Sequence, residues 1–276
     1  MTRDFKSDAR LPDAPLLEAS GLRKSFVATT GAFGGGARRI NAVDGVSLKL
    51  MPGETLAIVG ESGSGKTTLA RLLLRLEQPD AGSVWCFGED LLAARGARLR
   101  TLRREMQMVF QDPYASLDPR MDVEAIVSEP LAIHEPRLPR NERRERVVRT
   151  LETVRLGADS LSRYPHEFSG GQRQRIGIAR ALVLRPKLIV ADEPVSALDV
   201  SVGAQILSLL QELQAEFALT YLIVSHSLPV VAQLATRIAV MKSGQVVETG
   251  EVRQVLERPA HPYTQALIAA MPVLPA

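Results

Sequence analysis

The residues best suited to chemistry stand in one unbroken run: Gly60, Glu61, Ser62, Gly63, Ser64, Gly65, Lys66, Thr67 and Thr68. Their spacing fits G-x-x-x-x-G-K-S/T, the pattern of a loop that binds phosphate groups. Glycines let backbone N–H groups close around a polyphosphate, and the start of a following helix adds a positive dipole. We therefore expect Lys66 to reach the β and γ phosphates of a bound nucleotide, and the Thr67 hydroxyl to ligate Mg²⁺.

Such a loop needs a strand before it and a helix after it, and the sequence predicts both. Residues 55–59 are a short, mostly apolar run of the kind that forms a buried strand. Residues 69–76 have helical character and contain neither Gly nor Pro. The alternative, a glycine-rich turn that binds nothing, is disfavoured because a chance match in a chain of 276 residues is rare.

A pair of acidic residues follows another apolar run. Residues 188–191 are Leu-Ile-Val-Ala, typical of a strand in a parallel sheet, and Asp192 and Glu193 come directly after them. An acidic pair at a strand end is usually a solvated turn, but the phosphate-binding run upstream favours a catalytic role. Asp192 is then expected to hold Mg²⁺, and Glu193 to accept a proton from an attacking water.

A third informative run is Ser169, Gly170, Gly171 and Gln172. Ser169 is a good N-cap for a helix, and the two glycines leave bare backbone at the start of that helix. Bare N–H groups at a helix start can bind an anion. The simpler interpretation, a capped helix start without a ligand, stays open on these residues alone.

Composition limits the classes of protein that fit. The apolar fraction of 45% and the charged fraction of 24% are ordinary for a globular protein. Cys86 is the only cysteine, which excludes a disulfide framework and favours a reducing compartment. Residues 1–14 lack the core of a signal peptide, and no apolar run approaches the ~18 residues of a membrane span. We therefore expect a cytoplasmic protein; its net charge of +3 gives little support to nucleic-acid binding.

Strands alternate with helical segments along most of the chain, which favours an α/β fold with a largely parallel sheet. Residues 28–39 are small, polar and glycine-rich, and predict a flexible loop between strands at 16–22 and 43–50. Prolines divide the stretch between residues 111 and 169, and no strand is predicted there. We expect this stretch to belong to an inserted helical subdomain at about 112–183.

Together these motifs resemble those of the ATP-binding cassette (ABC) ATPases. The resemblance covers nearly the whole chain and rests on the phosphate-binding run, Gln111, F-S-G-G-Q at 168–172, L-I-V-A-D-E-P at 188–194, S-A-L-D at 196–199 and His226. It implies a RecA-like P-loop NTPase core with an antiparallel β subdomain and the inserted α-helical subdomain. This ATPase domain is expected at residues 16–258, after a flexible N-terminus at 1–15.

The resemblance also implies roles for residues toward ATP and Mg²⁺. Phe26 is expected to stack on adenine, although an isolated phenylalanine is more often part of a core. Gln111 is expected to sense Mg²⁺ and the attacking water, and His226 to contact the γ-phosphate. The run 169–172 is expected to clasp the γ-phosphate of ATP held by a second cassette, which Asp199 also contacts. Two ATP molecules are then sandwiched in a head-to-tail dimer.

Longer runs narrow the resemblance to the dipeptide, oligopeptide and nickel importers, and within them to the second (F-type) ATPase subunit. They are V-F-Q-D-P-Y-A-S-L-D-P-R-M at 109–121, D-E-P-V-S-A-L-D-V-S at 192–201 and R-P-A-H-P-Y-T-Q-A-L at 258–267. The last run leads into an expected C-terminal tail at 259–276, where His261 is given no catalytic role. Implied partners are a second ABC ATPase subunit or a second copy, two transmembrane permeases and, indirectly, an extracytoplasmic solute-binding protein. Such a subunit sits peripherally on the cytoplasmic face of the membrane.

Other interpretations stay open on the sequence alone. A similar cassette with a similar tail serves soluble enzyme complexes such as phosphonate C–P lyase, and an importer of nickel or another small solute has the same motifs. A DNA-repair or chromosome ATPase is disfavoured, because the stretch from 111 to 169 is too short for the long coiled coil of those proteins. No nucleic-acid partner is therefore expected.

Overall fold

The computed structural model describes residues 14–29, 37–112 and 114–270, and strands alternate with helices over most of that length. The strands are β1 (Leu17–Thr29), β2 (Ala37–Leu50), β3 (Thr55–Val59), β4 (Ala81–Cys86), β5 (Glu89–Asp90), β6 (Met106–Val109), β7 (Leu188–Asp192), β8 (Thr220–Ser225), β9 (Arg237–Lys242) and β10 (Gln245–Glu251). The helices are α1 (Lys66–Leu73), α2 (Gly96–Glu105), α3 (Val123–His134), α4 (Arg140–Thr153), α5 (Gly170–Leu182), α6 (Val200–Phe217), α7 (Leu228–Leu234), α8 (Val252–Glu257) and α9 (Pro262–Ala269).

The larger of the two sheets has six strands in the order β10-β9-β3-β8-β7-β6. Its strands pair in parallel except β10, which pairs antiparallel with β9 at one edge. Every residue of β3, β7 and β8 is buried, which explains why these strands are continuous apolar runs rather than alternating ones. The register pairs Val59 with Ser225 and Asp192 with Val224, so the carboxyl ends of these strands meet at one edge.

The smaller sheet is antiparallel, with the order β2-β1-β4-β5. Leu17, Leu22 and Leu50 from this sheet share a core cluster with Ile58 of β3 and Leu69 of α1. The smaller sheet therefore packs over α1 and one face of the larger sheet. This packing places Ala42 of β2 beside Gly65, the residue that directly precedes α1.

Strands β1 and β2 are longer than the sequence predicts, and the expected loop at 28–39 is partly wrong. Residues 28–29 and 37–39 belong to the paired strands, while residues 30–36 lie outside the described parts. The extension pairs Phe26 with Ile40 and Val27 with Arg39. Ladder hydrogen bonds need no apolar side chains, so an exposed hairpin end carries little of the hydrophobic pattern on which strand prediction depends.

The inserted helical region contains α3, α4 and α5. Val127, Leu151 and Ile176 from these helices share one core cluster with Ile189 of β7, so the region packs against the larger sheet. Among the described residues between β6 and β7 no strand occurs, as expected. The continuous helix α3 was not expected, because it contains Pro130.

Two features offset the helix-breaking effect of Pro130. The side chain of Asp122 caps α3 by accepting a hydrogen bond from the Ala125 N–H at 2.7 Å, which satisfies one of the free N–H groups of the first turn. Burial of Val127 and Leu131 then fixes the helix on either side of the proline. Tertiary burial thus outweighs the one hydrogen bond that proline removes.

The C-terminal helices α7, α8 and α9 cover the β3–β9 side of the larger sheet. Ala57 and Val59 of β3 share a core cluster with Val231, Val255 and Tyr263 from these helices. Across the described residues, no helix combines the length and the apolar character that crossing a membrane requires.

The expected domain boundaries stay predictions. Of the expected loose N-terminus at 1–15, residues 1–13 lie outside the described parts of the chain, as do residues 271–276 of the expected tail. The boundary expected between 258 and 259 falls in the short connection between α8 and α9.

Candidate nucleotide-binding and hydrolysis site

The run 60–68 forms the loop that joins the end of β3 to the start of α1, with Gly65 as the N-cap of the helix. Gly65 has a φ of 104°, a backbone conformation that residues other than glycine rarely adopt. A β-carbon at this position would also collide with the Ala42 carbonyl oxygen of β2. A β-carbon at Gly60 would collide with the Met241 carbonyl oxygen of β9. Glycines therefore let two neighbouring strands press directly on the loop.

The Lys66 side chain lies inside the loop. Its Nζ atom donates hydrogen bonds to the carbonyl oxygens of Gly60 and Glu61, both at 2.8 Å. Burial lowers the pKa of the Lys66 ammonium below its usual value, while the Glu193, Asp192 and Glu61 carboxylates act in the opposite direction. A buried ammonium that rests on neutral carbonyl groups is a strong potential partner for an anionic phosphate.

Thr67 and Asp192 face each other across the start of α1 and the end of β7. Thr67 Oγ1 lies 3.4 Å from Asp192 Oδ1 and donates a hydrogen bond to it. Asp192 is only 4% exposed, and this burial raises the pKa of its carboxyl group above the usual value. A cation bound beside the carboxylate would offset the cost of burying its charge.

The donor atoms at this point fit Mg²⁺. Thr67 and Asp192 offer hard oxygen ligands, which Mg²⁺ prefers, and Mg²⁺ commonly combines one or two protein ligands with phosphates and water. In residues 14–29, 37–112 and 114–270, no three His, Cys, Asp or Glu side chains gather into a metal site of their own. The pair therefore suits a metal ion that arrives with a nucleotide rather than one held by protein alone.

Glu193 lies between two polar side chains that follow the neighbouring strands β6 and β8. Gln111 Nε2 donates a hydrogen bond to Glu193 Oε2 at 2.9 Å, and His226 Nδ1 lies 2.9 Å from Glu193 Oε1. The backbone of Glu193 has a left-handed φ of 47°, and its N–H donates to the Val224 carbonyl oxygen at 2.8 Å. Non-glycine residues in this conformation cost energy and cluster at functional sites. The turn directs the carboxylate toward both partners.

The run 169–172 begins α5 with a reciprocal cap. Gln172 N–H donates to Ser169 Oγ at 3.3 Å, and Ser169 N–H donates to Gln172 Oε1 at 3.0 Å. Gly171 approaches α6 so closely that a β-carbon would collide with Val202 Cγ1. Asp199 caps α6 by accepting a hydrogen bond from the Val202 N–H at 2.9 Å. The run 169–172 and Asp199 therefore belong to two neighbouring helix starts.

These helix starts are not joined to the chain's own phosphate-binding loop. Across the parts of the chain that the structure describes, no hydrogen bond or salt bridge links 169–172 or Asp199 to residues 60–68.

Phe26 projects from β1 with 43% of its surface exposed, and Lys24 Nζ lies 5.5 Å from the centre of its ring. Of the predicted residues, the structure brings together two groups, Lys66 with the loop and Thr67 with Asp192, next to a third formed by Gln111, Glu193 and His226.

Two contacts of the loop were not predicted from the sequence. Gly244, in the turn between β9 and β10, donates its N–H to the Ser64 carbonyl oxygen at 2.9 Å. The Glu61 N–H donates to the hydroxyl of Tyr263 at 3.1 Å. Both the Ser-Gly turn and the His-Pro-Tyr run are visible as sequence patterns, but neither pattern indicates what it contacts.

Two family models match this chain, one over the phosphate-binding loop and the other over the C-terminal tail. Residues 43–196 match the family described as ABC transporter, and residues 247–276 match the oligopeptide/dipeptide transporter C-terminal region. The dipeptide transport ATP-binding protein DppF of Haemophilus influenzae is 47% identical over 274 residues, which cover 99% of this chain and 82% of that protein. The glutathione import ATP-binding protein GsiA of Pectobacterium atrosepticum is 49% identical over 259 residues, or 94% of this chain. The chain spans only 41% of the length of that relative.

A solved structure supports the same assignment. A dimeric ATP-binding cassette in a post-hydrolysis state, bound to ADP and Pi, matches with a TM-score of 0.75 and 30% identity, over 86% of this chain and 99% of the other. The expected fold, a P-loop α/β core with an antiparallel β subdomain and an inserted helical subdomain, is thereby confirmed. The chain belongs to the ABC transporter family and carries the C-terminal region of the oligopeptide/dipeptide transporters.

Proposed function

We propose that this chain is the ATP-binding and ATP-hydrolysing subunit of an importer that takes up small peptides. The observation that carries the proposal is the group formed by Gln111, Glu193 and His226, directly beside Asp192. This group orients a carboxylate base at the carboxyl end of the larger sheet, where the phosphate-binding loop also begins. Membership of the ABC transporter family supports ATP as the nucleotide, and the peptide and glutathione transport named for the relatives supports the substrate class.

Nucleotide binding begins at the phosphate-binding loop. Lys66 exchanges its hydrogen bonds to the Gly60 and Glu61 carbonyl oxygens for bonds to the β and γ phosphates. Thr67 and Asp192 would hold Mg²⁺ and Gln111 would sense it, and the ion when bound would neutralise charge on the phosphates. Phe26, which is already exposed, offers its ring face to the adenine.

Hydrolysis depends on Glu193 as a general base. Its carboxylate accepts a proton from the water that attacks the γ-phosphorus. As the new P–O bond forms, the bond from the γ-phosphorus to the oxygen bridging it to the β-phosphate breaks, and ADP and inorganic phosphate result. Gln111 and His226 hold the two carboxylate oxygens, which keeps the base oriented before the water arrives. His226 also contacts the γ-phosphate in the ATP-bound state.

The run 169–172 and Asp199 are proposed to act on a second cassette. Among the residues that the structure describes, they make no hydrogen bond to the loop 60–68 of their own chain. Ser169, Gly170 and Gly171 offer free backbone N–H groups at the start of α5, where an anion can bind. A solved relative of 30% identity is described as dimeric. Two ATP molecules then hold two cassettes together, and hydrolysis of the γ-phosphates favours separation.

The importer also needs membrane components. We place the chain peripherally on the cytoplasmic face of the membrane, paired with another cassette subunit or a second copy and bound to two permeases. The surface proposed for the permeases is the groove between the core and the helical region, which is lined by Phe110, Glu129 and Arg180 and also by Gln111 and Asp192 of the hydrolysis site. An extracytoplasmic solute-binding protein would deliver the peptide to those permeases without contacting this chain.

Co-purification tests this proposal. A tagged Glu193→Gln variant, expressed in its own host and solubilised gently with ATP and Mg²⁺, should retain two integral membrane proteins and a cassette subunit. Lys66→Ala is the matched control, because it should keep the membrane proteins without the ATP-trapped cassette pair. Recovery of soluble partners alone would contradict the importer and favour an enzyme complex of the C–P lyase type.

A further inference from the structure

The C-terminal run His261-Pro262-Tyr263 contacts the phosphate-binding loop directly. The hydroxyl of Tyr263 accepts a hydrogen bond from the Glu61 N–H at 3.1 Å, across 202 positions of sequence. Tyr263 is 8% exposed, so water competes little for this bond. None of the roles proposed above uses this contact.

The peptide group that Tyr263 holds is also held by Lys66, from its other side. The bond between Gly60 and Glu61 carries the Gly60 carbonyl and the Glu61 N–H, which point in opposite directions across a trans peptide. The Tyr263 hydroxyl accepts a hydrogen bond from the Glu61 N–H, while Lys66 Nζ donates one to the Gly60 carbonyl oxygen at 2.8 Å. One peptide plane therefore connects the C-terminal tail to the lysine that must reach the phosphates.

The tail is itself anchored, so the hydroxyl has a defined position. Glu248 of β10 accepts hydrogen bonds from the Ala260 N–H at 2.8 Å and the His261 N–H at 3.0 Å. His261 then caps α9, with its Nδ1 atom accepting from the Tyr263 N–H at 3.0 Å. The Tyr263 ring packs in a core cluster with Val59, the last residue of β3 before the loop.

We propose that Tyr263 is a positioning residue for the phosphate-binding loop, and that the C-terminal tail is thereby part of the ATP site. The inference rests on the proposed ATP-binding function. Tyr263 fixes the orientation of the Gly60–Glu61 peptide before the nucleotide arrives, so the loop needs little reordering when it binds. Without the hydroxyl, the peptide can turn, and the phosphates must impose the loop conformation at a cost in affinity.

Tyr263→Phe tests the proposal, because it keeps the packed ring and removes only the hydroxyl. We expect both the Kd for ATP and the KM for ATP hydrolysis to rise about threefold to tenfold, with kcat changed by less than about twofold, since bound phosphates restore the loop. Tyr221→Phe is the matched control. It removes another buried hydroxyl, which donates to the Leu210 carbonyl oxygen at 3.2 Å away from the loop, and should leave KM unchanged.

A second variant tests the route through the tail. Glu248→Ala frees the start of α9 and should raise the Kd for ATP in the wild-type background, but add little in the Tyr263→Phe background. If wild-type protein binds ATP and Tyr263→Phe binds it equally well, the positioning role is wrong and the proposed function stands. Equal rises in KM for Tyr263→Phe and Tyr221→Phe would also overturn it. A wild-type protein that binds no ATP would overturn both proposals.

Discussion

Glu193 and His226 are joined by a 2.9 Å contact between Oε1 and Nδ1, although 33 positions separate them in sequence. The parallel register of β7 and β8 places Asp192 beside Val224, so the residues that follow these strands must meet. Gln111, which follows β6, binds the other carboxylate oxygen of Glu193 at 2.9 Å. A carboxylate held by both oxygens is oriented in advance, as a general base requires.

Removal of the Lys66 ammonium should weaken ATP binding more than any other single change in the loop. Charge-assisted hydrogen bonds contribute about 1.5–3 kcal/mol each, so we expect Lys66→Ala to raise the Kd for ATP by at least about tenfold. Isothermal titration of the purified chain with ATP and Mg²⁺ measures this directly. Retained affinity in Lys66→Ala would show that the ammonium does not contact the phosphates.

The affinity for ATP should also fall at alkaline pH. Burial holds the pKa of Lys66 below its usual value, and only the charged form attracts phosphate, so affinity should decline as pH rises through this lowered pKa. The measurement is the Kd for ATP from near neutral pH to about pH 10, set against Lys66→Arg, whose guanidinium stays charged throughout. Parallel pH profiles for the two proteins would contradict the assignment.

Asp192→Asn should separate stability from activity. Because burial raises the pKa of Asp192, the carboxyl group favours the folded state only when protonated, and that contribution is lost as pH rises through the raised pKa. At neutral pH the neutral amide should therefore raise the Tm of the nucleotide-free protein. The gain should shrink as pH falls through the raised pKa and vanish well below the ordinary value of about 3.8, where the wild-type carboxyl group is protonated in both the folded and the unfolded state.

The same variant should lose Mg²⁺-dependent turnover. A metal ion contributes several kcal/mol to charge stabilisation in the transition state, so kcat should fall by at least about a hundredfold. Thermal melts and phosphate-release assays on one preparation provide both readings. A lower Tm together with normal turnover would remove Asp192 from the proposed metal site.

Gly171→Ala tests the close packing of α5 against α6. The added methyl group collides with Val202 Cγ1, and overpacking of this kind costs about 1–3 kcal/mol in the free energy of unfolding. Because no hydrogen bond joins the run 169–172 to loop 60–68 within the described parts of the chain, ATP affinity should stay near the wild-type value while turnover falls. Urea unfolding and ATP titration together measure the two effects.

Gly177→Ala is the matched control on the same helix. A β-carbon at Gly177 meets no heavy atom within 4 Å, and alanine stabilises a helix interior by up to about 1 kcal/mol relative to glycine. We expect this variant to be as stable as the wild type or more so, with normal turnover. Equal losses of stability and turnover in Gly171→Ala and Gly177→Ala would argue against a specific role for the close approach of α5 to α6.

The sequence predicted the parts of the structure whose cause is local. The Gly, Lys and Thr residues of loop 60–68 have a spacing that few structures other than a phosphate-binding loop require. Strands β3, β7 and β8 are buried on both faces, so each appears in the sequence as an unbroken apolar run. The end of the β7 run then placed Asp192 and Glu193 correctly at the carboxyl end of the larger sheet. Fold class followed from the alternation of these runs with helices.

The parts that sequence did not predict have non-local causes. Helix α3 continues through Pro130 because of burial against other helices, which no local propensity encodes. The paired extension of β1 and β2 depends on backbone hydrogen bonds rather than on an apolar pattern. The contact of Tyr263 with Glu61 joins opposite ends of the chain, so it becomes visible only when α9 is packed on the sheet.

In the proposed reaction Glu193 removes a proton from the water that attacks ATP, and the rate of phosphate release by Glu193→Gln measures this role. The glutamine keeps the shape and both neighbours of the side chain but cannot accept the proton. We predict that this variant binds ATP and Mg²⁺ with wild-type affinity and releases inorganic phosphate at least about a hundredfold more slowly than the wild type. Wild-type rates of phosphate release from Glu193→Gln would show that a group other than Glu193 acts as the base.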